Sequence, residues 1–173
     1  MASKTQLAFA RQVYAAAVVA KTEIDPAFVT AQAMLETGWG ARVIGKANLF
    51  GITKGSQWDG DIVMVKTHEY FKTPKQKFKE PDRIVSVCKV AGKNLWYYTV
   101  MRAFKDFDSV GDCLKEHERL FQKPGYKDAW PCRKDPFKFA QKICDGVGCK
   151  YATDPTYLTT ITSIIKTIRR KCV

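Results

Sequence analysis

Alternating apolar and polar residues in the middle third of the chain constrain its fold most, because such segments pair with one another as strands. The alternation runs over residues 61–70, and two further segments of this kind cover 84–90 and 95–104. Residues 91–94, Ala-Gly-Lys-Asn, have the composition of a turn between the last two segments. The pattern predicts a small antiparallel sheet or a long hairpin, with the Lys- and Pro-rich residues 72–82 as a loop.

Two helical patterns precede the alternating segments, over residues 5–20 and 26–37. Asp25 and Pro26 supply the start of the second helix, with Asp as the N-cap and Pro at the first helical position. This part of the chain is therefore expected to be helical before the sheet begins.

Helices return after the third alternating segment. Ser109 followed by Asp112 resembles a capping box, and the Asp-Pro pairs at 135–136 and 154–155 are expected to start two more helices. The last helix places four apolar residues on one face, namely Leu158, Ile161, Ile165 and Ile168. The order of elements predicts an α+β fold, mostly α, in a single domain of residues 1–173 with a β lobe at 58–104.

Glu36 is the charged residue near the end of the second helix, within the sequence Ala-Gln-Ala-Met-Leu-Glu-Thr-Gly-Trp-Gly. Phe28, Ala31 and Leu35 recur at helical spacing and are expected to form the buried stripe of this helix. The negative end of the helix dipole and a neighbouring indole both disfavour the ionised carboxyl. This setting suits a general acid. The alternative is an exposed Glu near a helix end that has no chemical role.

The composition is that of an ordinary globular chain, with 46% hydrophobic and 27% charged residues among 173. No apolar stretch approaches the ~20 residues of a membrane helix, and the N-terminus does not have the pattern of a signal peptide. The net charge of +12 predicts attraction to polyanions: nucleic acid, anionic lipid or the anionic polymers of a bacterial envelope. No nucleic-acid-binding motif accompanies this charge, so a solvated basic surface is the simpler interpretation.

Six cysteines are many for a reduced cytosolic protein of this size, and their even number allows up to three disulfides. Cys144 and Cys149 are the best candidates for a local bridge, because two glycines let the intervening loop fold back. The cysteines favour an oxidising destination. Zinc is not expected, because there is no Cys-x-x-Cys and the two histidines, His68 and His117, lie in unrelated segments. No other metal or cofactor is expected.

A helical body with a small β lobe and one helix-terminal carboxyl suits glycoside hydrolysis. That reaction needs a protonated carboxyl that donates to the leaving oxygen. It also needs a second group that stabilises or attacks the oxocarbenium-like centre.

Five groups of residues follow one another along the chain in a recognisable order. They are 33–40 with 48–52, 65–70, 101–104 with 114–117, 125–126 and 151–157. Together they resemble the bacterial and phage N-acetylglucosaminidases of glycoside hydrolase family 73, including the Thr-x-Glu-Tyr strand of that family. The resemblance spans residues 25–168, nearly the whole chain.

The resemblance implies a lysozyme-like fold and hydrolysis of the β-1,4 bond after N-acetylglucosamine in peptidoglycan. Glu36 matches the general acid, and Glu69 would be the second carboxylate, activating water or helping to place the substrate. Tyr126 matches the active-site Tyr of the family, near the N-acetyl group. Alternatives remain open for the second group. The 2-acetamido oxygen of the substrate is an alternative nucleophile, and Asp59 and Asp61 are alternative carboxylates. If Glu69 has no chemical role, it is an exposed strand residue.

Five residues are candidates for substrate binding: Trp39, Asn48, Phe50, Trp58 and Tyr70. Trp39 and Phe50 also suit a structural role in the framework of the fold. Asn48 also suits a structural role, because its side chain can fix the turn that follows it. Trp58 belongs either to a sugar-stacking surface or to the packing of the β lobe, as do Trp96 and Tyr97. His117 is expected to be a structural helix residue rather than a base.

The chain departs from the family pattern in a long connection between Tyr70 and Met101, and at Cys113 and Phe104, where the family often has Ser and Tyr. The favoured interpretation is a compact monomeric phage endolysin that has no leader. It would be made in the host cytoplasm and would act on peptidoglycan in the periplasm or the extracellular wall. Neither a nucleic-acid partner nor stable membrane insertion is expected.

Other settings and activities fit the same residues. A secreted antibacterial effector or a flagellum-associated wall hydrolase would share the chemistry. A muramidase or a lytic transglycosylase is the nearest enzymatic alternative. A non-catalytic wall-binding protein is the alternative from a different class.

Overall fold

The computed structural model describes residues 2–145, 151–152 and 154–173. Helices and a small antiparallel sheet form in the order that the sequence indicates, which confirms an α+β fold that is mostly α. The elements are α1 (Lys4–Val19), α2 (Pro26–Thr37), β1 (Ile62–Phe71), β2 (Arg83–Lys89), β3 (Trp96–Lys105), α3 (Val110–Phe121), α4 (Pro136–Asp145) and α5 (Tyr157–Lys171).

The chain divides into two compact units. The helical unit comprises Met1–Phe50 and Phe107–Val173, and the β unit comprises Gly51–Asp106. The β lobe expected at 58–104 falls within the β unit. The expectation that residues 1–173 form one catalytic domain stays a prediction.

The core of the helical unit surrounds α2, which packs against α1, α4 and α5. Phe28 of α2 makes edge-to-face contacts with Phe121 and Phe139, and all three rings are fully buried. The prediction that Phe28, Ala31 and Leu35 form the buried stripe is therefore correct for the first two residues and wrong for Leu35. Leu35 is only half-buried, whereas Gln32 is fully buried, because neighbours enclose the helix on nearly every side.

Side-chain caps begin three of the helices where the sequence predicts them. The carboxylate of Asp25 accepts a hydrogen bond from the Ala27 amide at 2.8 Å and starts α2. Asp135 accepts from two amides at the start of α4, and the Ser109 hydroxyl accepts from the Asp112 amide at the start of α3. These bonds satisfy amides that have no partner within the helix.

The start predicted for the last helix at Asp154-Pro155 is wrong by two residues. The Asp154 carboxylate accepts from the amide and the hydroxyl of Thr156, both at 2.8 Å, and so closes a turn. Helix α5 begins after this turn, at Tyr157. Its buried face includes Ile161, Ile165 and Ile168 as expected, with Tyr157 and Ile164 in addition. The placement of Leu158 on this face is wrong, because Leu158 is only half-buried.

The β unit is a three-stranded antiparallel sheet in the order β1-β3-β2, which confirms a sheet rather than a single hairpin. Glu69 of β1 is opposite Tyr98 of β3. The loop of residues 72–82 packs against the sheet: the Tyr98 hydroxyl donates to the Thr73 carbonyl at 2.9 Å and accepts from the Gln76 amide at 3.1 Å. This side of the sheet is therefore covered by the chain's own loop.

The predicted framework of disulfides does not form among the described cysteines. Free thiols occur at five positions, namely Cys88, Cys113, Cys132, Cys144 and Cys172. These residues lie on separate strands, helices and turns. The proposed partner of Cys144, Cys149, lies outside the described residues. Across the part of the chain that the structure describes, no helix has the length and apolar character needed to cross a membrane.

Candidate active site

Glu36 lies in the last turn of α2 with its side chain exposed. The helix ends directly after it, because Gly38 adopts the left-handed conformation at a φ of 58° that other residues disfavour. The Trp39 amide then donates to the Met34 carbonyl at 2.7 Å, which closes the helix end. Glu36 is thus presented by a buried helix whose end is fixed by hydrogen bonds.

The Glu36 carboxylate accepts a hydrogen bond from a tyrosine that is distant in sequence. Tyr151 Oη donates to Glu36 Oε1 at 3.3 Å. The Tyr151 ring contacts Phe121 and Tyr157, with centroid separations of 5.5 Å and 5.4 Å. Tyr157 Oη in turn accepts from Gln32 Nε2 at 2.9 Å. Because Gln32 and Glu36 are one turn apart, both tyrosines are attached to the same face of α2.

Burial keeps the two phenols protonated. Burial raises the pKa of the Tyr151 hydroxyl, and the neighbouring Tyr157 and Glu36 raise it further. Burial also raises the pKa of Tyr157, an effect that the hydrogen bond from Gln32 partly offsets. Tyr126 raises the pKa of both phenols slightly, and its buried ring contacts Phe121 at 5.2 Å. Glu36 and Tyr126, both predicted to be catalytic, therefore lie around the same pair of tyrosines.

Glu69 lies on β1 in the β unit and forms an ion pair with Arg102 of β3. Arg102 Nε is also 2.6 Å from Asp82 Oδ2, and the Ala103 amide donates to Asp82 Oδ1 at 2.7 Å. The exposed fraction of the Glu69 side chain is 29%, and that of Asp82 is 17%. Glu69 is thus a member of a half-buried cluster of charges, not a freely exposed strand residue.

A polar cavity of about 450 Å³ adjoins this cluster within the β unit. Residues 53–56 form one wall and 79–82 the other, and Arg102 and Ala103 complete the lining. The backbone of Ala103 is bonded to both walls, since its carbonyl accepts from the first and its amide donates to the second. The volume is that of a typical small-molecule site.

Three candidates for substrate binding belong to the helical unit. Asn48 is buried, and its Oδ1 accepts from the Phe50 amide at 3.4 Å. The Phe50 ring stacks on the imidazole of His117 with centroids 3.7 Å apart. Trp39 is half-buried at a positive φ of 61°. The contacts of Asn48 and Phe50 fit a structural role, and a substrate contact by any of the three residues stays a prediction.

The side chain of Trp58 is positioned by two contacts within the β unit. Its Nε1 donates to the Asp61 carbonyl at 2.9 Å, and the Lys105 ammonium lies 4.5 Å from its ring centroid. Asp59 and Asp61, the alternative carboxylates, are both exposed beside it in sequence. Neither the sugar-stacking role of Trp58 nor a catalytic role for these carboxylates is tested by this geometry.

Tyr70 is 60% exposed and belongs to an aromatic group on the sheet. Its ring centroid is 5.2 Å from that of Tyr97, which also stacks on His68 at 5.2 Å. Trp96, at the start of β3, is half-buried. An exposed ring of this kind suits contact with the apolar face of a sugar, so Tyr70 remains a candidate.

His117 and Cys113 are buried one turn apart on α3. Burial lowers the pKa of His117 to about 3 and raises the pKa of Cys113 to about 12. The imidazole is therefore neutral and the thiol protonated near neutral pH, so neither acts as a base or a nucleophile there. This fits the structural role expected for His117.

Sequence reasoning assigns no role to Gln32, Tyr151, Tyr157 or Arg102. Gln32 carries a signal that is visible in the sequence, because it is an amide one turn before Glu36 in an otherwise apolar helix. The two tyrosines appear in the sequence only as part of a motif. Their bonds to α2 join residues 115 and 125 positions apart, which a local pattern does not reveal.

The helical unit, with an exposed carboxyl at the end of a buried helix, and the small antiparallel sheet define a glycoside hydrolase domain of the lysozyme-like class. Residues 12–170 match the glucosaminidase family, described as mannosyl-glycoprotein endo-beta-N-acetylglucosaminidase. The match covers nearly the whole chain, and the chain belongs to this family. The predicted resemblance to glycoside hydrolase family 73 is confirmed.

Two bacterial relatives are similar to the chain over most of its length. The peptidoglycan hydrolase FlgJ of Vibrio parahaemolyticus is 30% identical over 141 residues, which cover 78% of this chain and 37% of FlgJ. A probable N-acetylmuramidase of Lactococcus lactis subsp. cremoris is 30% identical over 143 residues, 81% of this chain and 28% of the relative. The chain thus spans about a third of the length of these relatives.

A solved structure shows the same fold. The catalytic domain of the autolysin Auto from Listeria monocytogenes is 25% identical and superposes with a TM-score of 0.67. The superposition covers 98% of this chain and 87% of the Listeria domain. The similarity therefore extends over both the helical unit and the β unit.

Proposed function

We propose that the chain is a peptidoglycan hydrolase that cleaves the β-1,4 glycosidic bond after N-acetylglucosamine. The observation that carries the proposal is the exposed carboxyl of Glu36 at the end of a buried helix, in a chain of the glucosaminidase family. The Vibrio relative is named a peptidoglycan hydrolase and the Listeria neighbour an autolysin. Both names support cell-wall glycan as the substrate.

In this proposal Glu36 is the general acid. Its carboxyl proton passes to the leaving glycosidic oxygen as the bond from that oxygen to C1 of N-acetylglucosamine breaks. Glu69 is the second carboxylate and activates the water that attacks C1, with the guanidinium of Arg102 stabilising its negative charge. Tyr126 contacts the N-acetyl group of the sugar. If the 2-acetamido oxygen is the nucleophile instead, Glu69 places the substrate and does not activate water.

A muramidase is the second candidate activity, and the Lactococcus relative named a probable N-acetylmuramidase favours it. The two activities use the same acid chemistry and differ in which sugar carries the new reducing end. The choice therefore depends on how the glycan is seated, and analysis of the products distinguishes the two.

The proposed place of action is the bacterial cell wall, from the periplasm or from outside the cell, and the proposed role is bacteriolysis as a monomeric phage endolysin. The net charge of +12 supports action on an anionic envelope. A secreted antibacterial effector and a flagellum-associated hydrolase would use the same site.

The test is digestion of purified peptidoglycan by the wild type and by Glu36→Gln, with the reduced fragments identified by mass spectrometry. New reducing ends on N-acetylglucosamine that are lost in the variant support the proposal. We expect the variant to lose at least about 100-fold in rate, because a general acid contributes about that much or more.

Glu23→Gln is the matched control, since Glu23 is an exposed Glu of the same unit whose carboxylate lies 3.4 Å from Arg133 Nε. It should retain the wild-type rate. Reducing ends on N-acetylmuramic acid would establish the muramidase, and anhydro ends a transglycosylase. Folded protein that releases no fragments would instead support a binding role.

A further inference from the structure

One wall of the polar cavity in the β unit lies where the chain departs from the family pattern. Residues 79–82 form this wall, and they belong to the long connection between Tyr70 and Met101. Ala103 joins it to the opposite wall, residues 53–56, since the Ala103 carbonyl accepts from that wall at 2.9 Å and its amide donates to residues 79–82 at 2.7 Å. Hydrogen bonds therefore fix both walls.

Two ammonium groups of the lining have no carboxylate partner. Lys54 is half-buried and Lys79 is exposed, and neither forms an ion pair with another described residue. Arg102 differs from them, because both Glu69 and Asp82 contact its guanidinium. Partial burial lowers the dielectric around Lys54, so a carboxylate brought by a ligand gains more there than at a fully solvated lysine.

The lining also offers groups for a cation and for neutral polar atoms. Glu80 is exposed and forms no ion pair with another described residue. Thr53 and Ser56 add hydroxyls that can donate or accept. This set of groups is complementary to a peptide that carries several carboxylates and an ammonium. A bare glycan has no charge to match it, and a nucleic acid has no ammonium.

A peptide of this kind is attached to the proposed substrate. The stem peptide of peptidoglycan has carboxylates on its D-glutamate, its diaminopimelate and its terminal D-alanine, and it has an ammonium on its diaminopimelate. It is attached to the sugar that alternates with N-acetylglucosamine. Arg102 lines the cavity and contacts Glu69, the proposed second carboxylate. Four extended residues span about 14 Å, so a stem can reach the cavity from a glycan bound at Glu69.

We propose that this cavity binds the stem peptide of peptidoglycan, with Lys54 and Lys79 on its carboxylates and Glu80 on its ammonium. The inference rests on the proposed function, because it takes peptidoglycan as the substrate. It adds a second determinant of recognition to the glycan itself, located on a wall that belongs to the long connection.

The test is isothermal titration calorimetry of the full chain with the free tetrapeptide L-Ala-γ-D-Glu-meso-diaminopimelate-D-Ala, which needs no turnover. Lys54→Gln should weaken the affinity about 5- to 10-fold, because a charge-assisted hydrogen bond is lost. Lys66→Gln is the matched control, since Lys66 is an exposed lysine of β1 outside the lining, and it should bind as the wild type does. The tetrapeptide with its carboxyls amidated should bind at least about tenfold more weakly to the wild type.

A second pair of variants changes the charge of the cavity at one exposed position. Ser56→Asp and Ser56→Asn introduce side chains of nearly equal size, so thermal unfolding should show the same stability for both. Ser56→Asp should weaken the affinity about tenfold because it repels the carboxylates of the peptide, and Ser56→Asn should weaken it less than about threefold. Equal affinities for the two variants would overturn the inference.

The outcomes separate this inference from the proposed function. If Glu36→Gln abolishes hydrolysis but the wild type shows no detectable binding of the tetrapeptide, the function stands and the peptide site fails. If the tetrapeptide binds with the expected losses but the wild type releases no glycan fragments, the hydrolysis fails and the peptide site stands. Equal binding of oligomers of glycerol phosphate, also weakened in Lys54→Gln, would show a site for any anion and would contradict recognition of the peptide.

Discussion

Glu36 and Glu69, the two carboxylates proposed to act on the substrate, have different neighbours. Glu36 is exposed and accepts a hydrogen bond from the neutral phenol of Tyr151, whereas Glu69 is half-buried beside the guanidinium of Arg102. The two carboxylates thus differ in the charge of the group that each contacts, and the proposed hydrolysis gives them different roles.

Arg102→Gln tests how far the β unit depends on its charge cluster. The substitution leaves Glu69 and Asp82 close together without the cation they share. We expect the free energy of unfolding to fall by about 2 kcal/mol, less than for a fully buried pair, because solvent screens these partly exposed side chains. Urea unfolding followed by tryptophan fluorescence measures the change.

Arg83→Gln is the control for this variant, since Arg83 is an exposed arginine on β2. Its loss should stay within about 0.5 kcal/mol, as is usual for surface substitutions. Adding Glu69→Gln to Arg102→Gln should recover part of the stability, because one of the two unpaired carboxylates is then neutral. Equal losses for Arg83→Gln and Arg102→Gln would show that the cluster does not stabilise the sheet.

At the scale of elements, helix α3 contains a group that makes the fold sensitive to acid. Burial lowers the pKa of His117 to about 3 in the folded protein, against 6.5 for an ordinary histidine. Between these values the unfolded chain binds one more proton than the folded chain. We therefore expect the free energy of unfolding to fall by up to about 1.4 kcal/mol for each pH unit below 6.5. Chemical denaturation at a series of pH values from about 8 to about 4 measures this slope.

The matched pair for this prediction consists of the two histidines of the chain. His117→Leu removes the buried imidazole and should flatten the dependence on pH below 6.5, although the variant itself is less stable. His68→Leu removes an exposed imidazole on β1 and should keep the wild-type slope. A slope that survives in His117→Leu would have to come from the carboxylates.

The bounds of most elements could be predicted because their signals are local. The Asp25-Pro26 start and the Gly38 end of α2 are each set by a few adjacent residues, and the helix matches the predicted 26–37. The last strand, expected at 95–104, runs over Trp96–Lys105 because the alternation is continuous there. The predicted start of α5 is wrong because the Asp154 carboxylate accepts a hydrogen bond from the Thr156 amide and closes a turn instead of starting the helix. The Asp-Pro pair is compatible with either structure.

The site could be predicted only in part. Glu36, Glu69 and Tyr126 could be predicted because each belongs to a motif of the family, and these motifs follow one another along the chain in the order of the family. The partners of the two carboxylates do not follow from any motif. Tyr151 meets Glu36 across 115 residues and Arg102 meets Glu69 across 33, and both pairings depend on tertiary packing.

At the scale of the whole molecule, excess positive charge is the dominant electrostatic property. The chain has 29 basic and 17 acidic residues, which gives a net charge of +12. Lys72, Lys75 and Lys77 are exposed in the loop that covers the sheet, and they form no ion pair within the described residues. Such a surface attracts an anionic cell wall over a distance that salt shortens.

Binding to the cell wall should therefore weaken as salt is added. With Glu36→Gln, to prevent digestion, we expect the affinity for purified sacculi to fall about tenfold between about 0.05 M and about 0.5 M NaCl, because the Debye length shortens from about 14 Å to about 4 Å. Sedimentation of the sacculi with bound protein measures the affinity. Replacing Lys72, Lys75 and Lys77 by Gln should weaken binding at low salt and reduce its salt dependence, since three charges are removed.

The same three lysines replaced by Arg keep the charge while changing the side chains, and this variant should bind as the wild type does. If the Arg variant also loses affinity, the lysines act through specific contacts that a guanidinium does not reproduce. If binding to sacculi is independent of salt in every variant, the basic surface is only a solvated face. Recognition of the wall would then depend on the uncharged contacts of the glycan, for which the exposed ring of Tyr70, beside the half-buried Tyr97, is the aromatic candidate.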